Sequence, residues 1–330
     1  MQLDEFFAPR ILIVAGKGGV GKTTVAAGLA LAAARRGRKV CVAEVDRKGT
    51  LARLLGGEHS GYEPVEHTAG VWGVNIPPEE ALAEYLEVQY HMKRISRAFT
   101  STQFLDYITT AAPGLKDILV LGKIWYLEKG RSTGTKHEFD TIVVDAPAAG
   151  HMLTFLSAPM GLSDAVRVGP IRRQASWLME MLQDPARTRV HLVTIPEEMP
   201  VAETLETAEA LRTRLGMTCG PVFANAVYDK LFTSDELTIV QTMLETGNLD
   251  DIYKSAEDVG LRLDLDDVNA MLSYARFLNS RREIQARHLK ALNRGVSFPV
   301  VELPFLFSAG LELPDVENLT DRIEEAVEAL

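Results

Sequence analysis

Cysteine is scarce in this sequence: Cys41 and Cys219 are the only two among 330 residues. Both lie in or beside apolar runs, so we expect buried, inert thiols. No Cys-x-x-Cys pair occurs, which argues against a structural zinc site built on thiolates. A chain of this length buries a large core and needs no disulfide to fold.

Long hydrophobic runs are lacking as well. No segment approaches the roughly 20 apolar residues that span a bilayer, and the longest candidate, residues 25–34, is short and rich in alanine. The first ten residues contain two acids and no apolar stretch of the kind found in signal peptides. We therefore expect a cytoplasmic protein without stable membrane insertion.

Positive charge is in deficit, since 35 Lys and Arg stand against 45 Asp and Glu, a net charge of −10. An acidic surface repels phosphate backbones, so we expect no nucleic-acid partner. A carboxyl-terminal helix is predicted from residue 315 to residue 330, and its polar face is acidic. Helices that lie on membranes carry Lys and Arg there, so we expect this helix to pack on the protein instead.

What the sequence does contain is a series of apolar, β-branched runs separated by helical stretches. Residues 11–15 form the first run, a glycine-rich loop and a helical stretch follow, and residues 40–45 form the second run. Such a strand–helix–strand unit begins a parallel sheet. Further strands are predicted at residues 71–76, 141–144, 190–195, 222–226 and 296–303. We predict one α/β domain over residues 1–330, with a mostly parallel sheet of about seven or eight strands covered by helices on both faces.

Two insertions, about 79–136 and about 154–183, are longer than a simple crossover requires. We predict that they form a helical subdomain beside the sheet. Apolar residues recur in each at helical spacing, namely Leu115, Ile118, Leu119, Gly122 and Trp125 in the first and Trp177, Leu178, Met181 and Leu182 in the second. These faces are either ordinary helix core or a surface for a hydrophobic protein client.

Residues 16–23 fit the template G-x-x-x-x-G-K-[ST] between a strand and a helix, which is the P-loop of nucleoside triphosphatases. Glycines let backbone N–H groups surround phosphate oxygens, and the positive end of the helix faces them. We expect Lys22 to contact the β- and γ-phosphates of ATP and the Thr23 hydroxyl to bind Mg²⁺. The predicted nucleotide-binding positions are Gly16, Lys17, Gly18, Gly19, Val20, Gly21, Lys22, Thr23 and the following Thr24.

Acidic residues end two of the predicted strands. Asp145 ends an apolar run, the Walker B arrangement, which places its carboxylate near Mg²⁺, with water between them. Glu44 and Asp46 end the second run and point to the same face, because side chains alternate along a strand. We favour Asp46 as the group that orients the attacking water, with Glu44 as the alternative.

The pattern K-G-G-x-G-K-T, which begins at Lys17, resembles the deviant Walker A motif of an ATPase class that includes MinD, ParA and nitrogenase iron protein. Residues 145–151, DAPAAGH, narrow the likeness: they resemble switch II of the ArsA/tail-anchored-protein-targeting ATPase family. Residues 115–123 and 195–204 resemble two further segments of that family. The likeness spans nearly the whole chain.

The resemblance implies roles for three further parts of the chain. Lys17 would reach across a dimer interface to the partner's nucleotide, where a cation stabilises the leaving phosphates; a solvated loop lysine is the alternative. Asn225 would hydrogen-bond adenine, and the loop from Pro304 to Phe307 would close over the base. A capping Asn in the core and a structural turn are the alternatives for these two.

Three departures from the family's pattern limit what is carried over. Switch I commonly reads D-P-A-H, whereas residues 46–49 here read DRKG, which implies slower or differently triggered hydrolysis. The cysteine cluster that binds arsenite in pump ATPases is missing. The Cys-x-x-Cys pair that holds zinc between eukaryotic subunits is missing too.

The sequence thus predicts a cytoplasmic, Mg-dependent ATPase that hydrolyses ATP and works as a dimeric switch. Its partner is a second copy or a homologous ATPase, and nucleotide-driven closure acts on a client or partner protein. The alternative is a nucleotide-bound scaffold subunit with little turnover, paired with a homologous chain. A metalloid (arsenite) efflux ATPase is the least favoured function.

Overall fold

The computed structural model describes residues 2–45, 49–90, 114–130, 138–165, 169–308 and 310–330. Eight strands form one sheet: β1 (Ile11–Gly16), β2 (Val40–Glu44), β3 (Val65–Thr68), β4 (Val71–Asn75), β5 (Thr141–Ala148), β6 (Thr188–Thr194), β7 (Val222–Val227) and β8 (Val300–Pro304). Their order across the sheet is β3-β4-β2-β5-β1-β6-β7-β8.

Twelve helices are described in these ranges: α1 (Leu3–Phe6), α2 (Lys22–Arg35), α3 (Thr50–Leu54), α4 (Pro78–Tyr90), α5 (Leu115–Lys129), α6 (Ala149–Ala165), α7 (Pro170–Gln183), α8 (Glu198–Thr213), α9 (Ser234–Thr246), α10 (Asp250–Asp258), α11 (Leu265–Gly295) and α12 (Leu313–Glu328). None of these helices is both long enough and apolar enough to cross a membrane.

The predicted α/β fold is confirmed, with one strand that the sequence analysis missed. Seven strands run parallel, and β3 pairs antiparallel with β4. Strand β3 reads VEHT, and its Val65 is 41% exposed. A short edge strand with one solvent-facing side lacks the apolar run that marks the buried strands.

The core lies in two layers, one on each face of the sheet. Successive residues of a strand point to opposite faces, and on β5 Val143 joins the cluster with α2, α3 and α12. The next residue, Val144, joins the cluster on the other face, with α4 to α8. The carboxyl-terminal helix α12 packs on α2, where the Thr320 hydroxyl donates to the Gly28 carbonyl at 3.3 Å.

The described helices of the two predicted insertions pack on the sheet. Helices α4 and α5 lie in the first insertion and α7 in the second, and their buried residues belong to the same core layer as the strands. Residues 91–113 and 131–137 of the first insertion lie outside the described residues. A helical subdomain in these segments stays a prediction.

A third, smaller core lies away from the sheet, between α9, α10 and the first half of α11. It is centred on Leu249, Val268 and Leu272. The sequence predicted no separate unit here. We call α9 to α11 the arm; it leaves the sheet after β7 and returns to it at β8.

Candidate nucleotide site

The glycine-rich loop joins the end of β1 to the start of α2, as predicted. Strand β1 is fully buried between β5 and β6, so the loop starts from a rigid central position. No side chain caps the amino terminus of α2. Its first N–H groups therefore suit an anion such as a phosphate.

Other residues are disfavoured at the position of Gly21. Its φ angle is 92°, in the left-handed region, and a Cβ there would lie 2.2 Å from Nδ2 of Asn225. The amide of Asn225 occupies that space because it donates to the Val20 carbonyl at 2.9 Å. Asn225 thereby ties the end of β7 to the loop; its predicted contact with adenine remains a prediction.

Thr23 and Asp145 meet directly beneath the loop. The Thr23 hydroxyl donates to Oδ2 of Asp145 at 2.7 Å, and Asp145 is only 7% exposed. A hydroxyl and a carboxylate are oxygen donors of the kind that Mg²⁺ prefers, and phosphates and water complete such sites. The residues present therefore fit a magnesium ion bound together with a nucleotide.

Lys22 lies at the start of α2 and turns back over the loop. Its Nζ donates to the carbonyl of Lys17 at 3.1 Å. Between them, Gly19 has nothing within 4 Å of where a Cβ would be. The loop is therefore open on this side, where its backbone can receive phosphate oxygens.

Glu44 and Asp145 lie side by side at the carboxyl ends of neighbouring parallel strands. They are register partners between β2 and β5, and Glu44 is 2% exposed. Both follow, by two residues, a valine of the core layer that contacts α2, so both point toward the loop. Asp46, the favoured residue for orienting water, lies outside the described residues.

Lys17 reaches helix α8, which follows β6. Its Nζ lies 2.5 Å from Oε1 of Glu203, and both side chains are about one-third exposed. Sequence analysis placed Glu203 in a family-like segment without giving it a role. The feature that could have identified Glu203 is its position, five residues after the start of the helix that follows β6, the strand next to β1.

The backbone after Asn225 is held in an unusual conformation by the arm. Ala226 has a φ angle of 57°, which costs energy for a residue with a Cβ. Gln285 of α11 donates to the Ala226 carbonyl and accepts from the Tyr228 N–H, both at 2.8 Å. One buried side chain thus fixes the loop beside the nucleotide site.

Three aromatic rings cluster where β7 and β8 end. Tyr228 stacks on Phe305 with ring centroids 5.0 Å apart, and Phe307 contacts both rings. Tyr228 and Pro304 also line a cleft of about 740 Å³ against α12. The sequence analysis selected the segment from Pro304 to Phe307 but missed Tyr228, which follows Asn225 by only three residues.

Both cysteines are buried. Burial raises the pKa of each thiol to about 12. Thiols bind metals and metalloids as thiolates, and burial disfavours that form of both cysteines. The expectation of buried thiols is confirmed, and their inertness stays a prediction.

The apolar faces predicted for α5 and α7 are largely core. Leu178, Met181 and Leu182 are at most 2% exposed, whereas Trp177 is 41% exposed. The Trp177 ring stacks on Trp125 of α5, with centroids 5.4 Å apart. Of the residues named on α7, Trp177 alone presents a large surface to solvent.

Comparisons with known proteins identify the family of the chain. The sequence profile of the family described as "Anion-transporting ATPase" matches residues 9–182, more than half of the chain. ATPase BagA from Mycobacterium tuberculosis is 31% identical over 325 residues, which cover 96% of this chain and 93% of that protein. ATPase ARSA1 from Chlamydomonas reinhardtii is 25% identical over 276 residues, 66% of this chain and 35% of that protein. The chain therefore belongs to the anion-transporting ATPase family, and it is an ATPase.

Proposed function

We propose that the chain is a Mg-dependent, dimeric switch in which ATP binding and hydrolysis drive closure on a client or partner protein. The observation that carries the proposal is the direct hydrogen bond between Thr23 and Asp145 beneath an uncapped helix start. A hydroxyl beside a buried carboxylate at an uncapped helix start suits a nucleotide with its metal ion. The hydroxyl comes from α2 and the carboxylate from β5, which pairs with β1.

In this proposal the loop binds the triphosphate. Its backbone N–H groups and Lys22 contact the phosphate oxygens, with the amino terminus of α2 contributing its dipole. Thr23 and Asp145 would hold Mg²⁺, which neutralises phosphate charge when bound. A carboxylate at the end of β2, that of Asp46 or of Glu44, orients the attacking water.

The dimer is proposed because residues 17–23 resemble a motif whose first lysine acts in a partner chain. In this chain Lys17 pairs with Glu203 of α8. Exposed ion pairs contribute about 1 kcal/mol or less, so Lys17 can exchange this partner for the phosphates of a second chain. A cation supplied in this way stabilises the charge that develops on the leaving phosphates.

A nucleotide-bound scaffold with little turnover remains the second candidate. The ion pair between Lys17 and Glu203 favours it, because a lysine held by its own chain does not assist hydrolysis in another. Residues 46–49, which differ from the family's common switch I, point the same way.

Phosphate release in Mg-ATP separates the two candidates. We expect turnover in the wild type, none above background in Lys22→Ala, and wild-type turnover in Lys254→Ala, whose lysine is exposed on α10. Calorimetry should show that Lys22→Ala loses nucleotide binding. Tight nucleotide binding without turnover in the wild type would favour the scaffold, and unchanged affinity in Lys22→Ala would refute the phosphate-binding role.

A further inference from the structure

Helix α11 carries an exposed apolar stripe that no described part of the chain covers. Met271, Tyr274 and Phe277 are 55%, 53% and 48% exposed. Their spacing of three residues places them along one side of the helix. A contiguous exposed apolar surface of this kind is typical of a binding surface.

The stripe is bounded by opposite charges at equal distances. Asp267 lies seven residues before Tyr274, and Arg281 lies seven residues after it. Met271 and Phe277 lie three residues before and after Tyr274. Seven residues are about two helical turns, so both charged residues share the side of the helix that Tyr274 occupies.

We propose that α11 pairs antiparallel with α11 of a second copy of this chain, about a two-fold axis at Tyr274. A two-fold axis brings each residue to a partner residue equally far on the other side. Asp267 then meets the partner's Arg281, and Met271 meets the partner's Phe277. Tyr274 meets the partner's Tyr274 on the axis.

The charges select this orientation over the parallel one. Parallel pairing in register would place Asp267 against the partner's Asp267 and Arg281 against the partner's Arg281. Both contacts are repulsive, whereas the antiparallel pair makes two attractive contacts. The Arg281 guanidinium already lies 5.4 Å over the Phe277 ring of its own chain, so it is partly ordered before pairing.

The wider charge distribution of the arm is also self-complementary. Residues 235–267 contain ten Asp and Glu and two Lys and Arg, whereas residues 276–294 contain six Lys and Arg and one Glu. Antiparallel pairing brings the acidic part of each arm over the basic part of the other. The same chain therefore supplies both halves of the electrostatic match.

Asp267 has a second role, which shapes the experiment. Its carboxylate accepts from the Asp264 N–H at 3.0 Å in the cap of α11. A carboxylate has acceptor sites to spare for an arginine. Substituting Asp267 weakens the cap as well, whereas Arg281 has no part in it, so Arg281→Glu is the primary variant.

This inference adds a contact between two copies that does not depend on nucleotide, and this contact is separate from the one through Lys17 in the proposed function. The seam is about 21 Å long between Asp267 and Arg281, which is small for a stable interface. We therefore expect weak association, measurable by sedimentation at protein concentrations of about 10–200 µM.

A charge-reversal series tests the pairing in the full chain. We expect Arg281→Glu to raise the dimer dissociation constant at least tenfold, because it creates two like-charge contacts. The double variant Asp267→Lys/Arg281→Glu should bring the dissociation constant back to within about threefold of the wild-type value. Lys290→Glu makes the same charge change on the opposite side of α11, outside the seam, and should raise the dissociation constant far less than Arg281→Glu does. A monomeric wild type, or equal effects of Arg281→Glu and Lys290→Glu, would overturn the proposal.

Cross-linking at the axis provides a second measurement. Tyr274→Cys should form a disulfide-linked dimer on mild oxidation, because the axis brings this position next to itself. Lys290→Cys should not, and both native cysteines are buried. Calorimetry should show unchanged nucleotide binding in Arg281→Glu. A failure of pairing with intact nucleotide binding would therefore refute the arm interface and leave the ATPase proposal standing.

Discussion

The Nζ atom of Lys17 lies 2.5 Å from Oε1 of Glu203, so the loop lysine expected to act in a neighbouring subunit is held by its own chain. The pair joins the loop after β1 to helix α8, which follows the adjacent strand β6. Because it is partly exposed, it is weak enough to exchange. Turnover is therefore expected to depend on how readily Lys17 leaves Glu203.

Glu203→Gln is expected to raise turnover by up to about fivefold. The substitution removes the charge that competes for Lys17, and exposed pairs of this kind are worth about 1 kcal/mol or less. Steady-state phosphate release measures the effect. Glu206→Gln, at an exposed neighbour on α8, is the matched control. Equal rates in the two variants would mean that Glu203 does not compete for Lys17.

Lys17→Ala is expected to lower turnover by about 10³-fold, the lower end of the effect of a cation supplied in trans. Nucleotide affinity should change little, because Lys22 and the loop backbone remain. Mixing this variant with Asp46→Asn tests the action between chains. Recovery of activity in the mixture is expected, since each mixed dimer contains one complete site.

Asp46→Asn is expected to bind ATP normally and to lose about 10²- to 10⁴-fold in turnover, because the amide no longer accepts a proton from water. Glu44→Gln should keep most of its activity. Single-turnover measurements with saturated enzyme separate chemistry from binding. The reverse ranking would assign the water-orienting role to Glu44, which lies beside Asp145 at the end of β2.

Tyr228→Ala is expected to weaken ATP binding by about two- to tenfold, since an aromatic stack contributes about 0.5–1.5 kcal/mol. Binding of inorganic tripolyphosphate, which lacks a base, should be unchanged, and Tyr228→Phe should bind ATP nearly as the wild type does. Calorimetry with both ligands makes the comparison. An equal loss for ATP and tripolyphosphate would mean that Tyr228 supports the loop and does not contact the base.

His191 makes the stability of the fold sensitive to acid. Burial against Phe6 and Phe223 lowers its pKa from 6.5 to about 4, and its Nδ1 lies 3.1 Å from the Pro221 carbonyl. As pH falls, His191 takes up a proton in the unfolded state before it does so in the folded state. Neutral His191 therefore contributes its full stabilisation above about pH 6.5, and this contribution is lost as pH falls to about 4. The loss amounts to about 3 kcal/mol at most.

Urea unfolding at pH 7 and at pH 4.5 measures this effect. His191→Gln, which keeps a donor for Pro221 but does not titrate, should lose less stability between the two pH values than the wild type. Its stability at pH 7 is expected to be lower, because glutamine packs less well between two rings. Equal losses of stability in both proteins would mean that a group other than His191 causes the acid sensitivity.

The central sheet and the loop could be predicted because local sequence determines them. Apolar runs such as those of β1 and β5 read as buried parallel strands, and residues 16–23 carry their own glycines, lysine and threonine. Strand β3 was not predicted because its residues are mostly polar and partly exposed. Its place depends on pairing with β4, which is a tertiary effect.

The partners of the site residues could not be predicted, because they depend on distant contacts. Asn225 meets Val20, and Glu203 meets Lys17, across separations of about 200 residues that no periodic pattern encodes. Gln285 reaches the loop after β7 from α11, a helix to which the sequence assigned no role. The chemistry of the site could be inferred from its residue types, whereas the contacts between those residues could be identified only in the folded structure.

The arm begins after β7 and ends before β8, and these two strands are hydrogen-bonded neighbours. A parallel crossover needs only about a dozen residues, whereas the crossover from β7 to β8 runs from Tyr228 to Pro299. Because both attachment points are adjacent, α9, α10 and the first half of α11 could be lengthened, shortened or exchanged without rearranging the sheet. The second half of α11 has to stay, since Leu289 and Leu292 belong to the core layer of the sheet and Gln285 holds the loop after β7. The place to graft a new appendage is therefore the segment from α9 to the first half of α11.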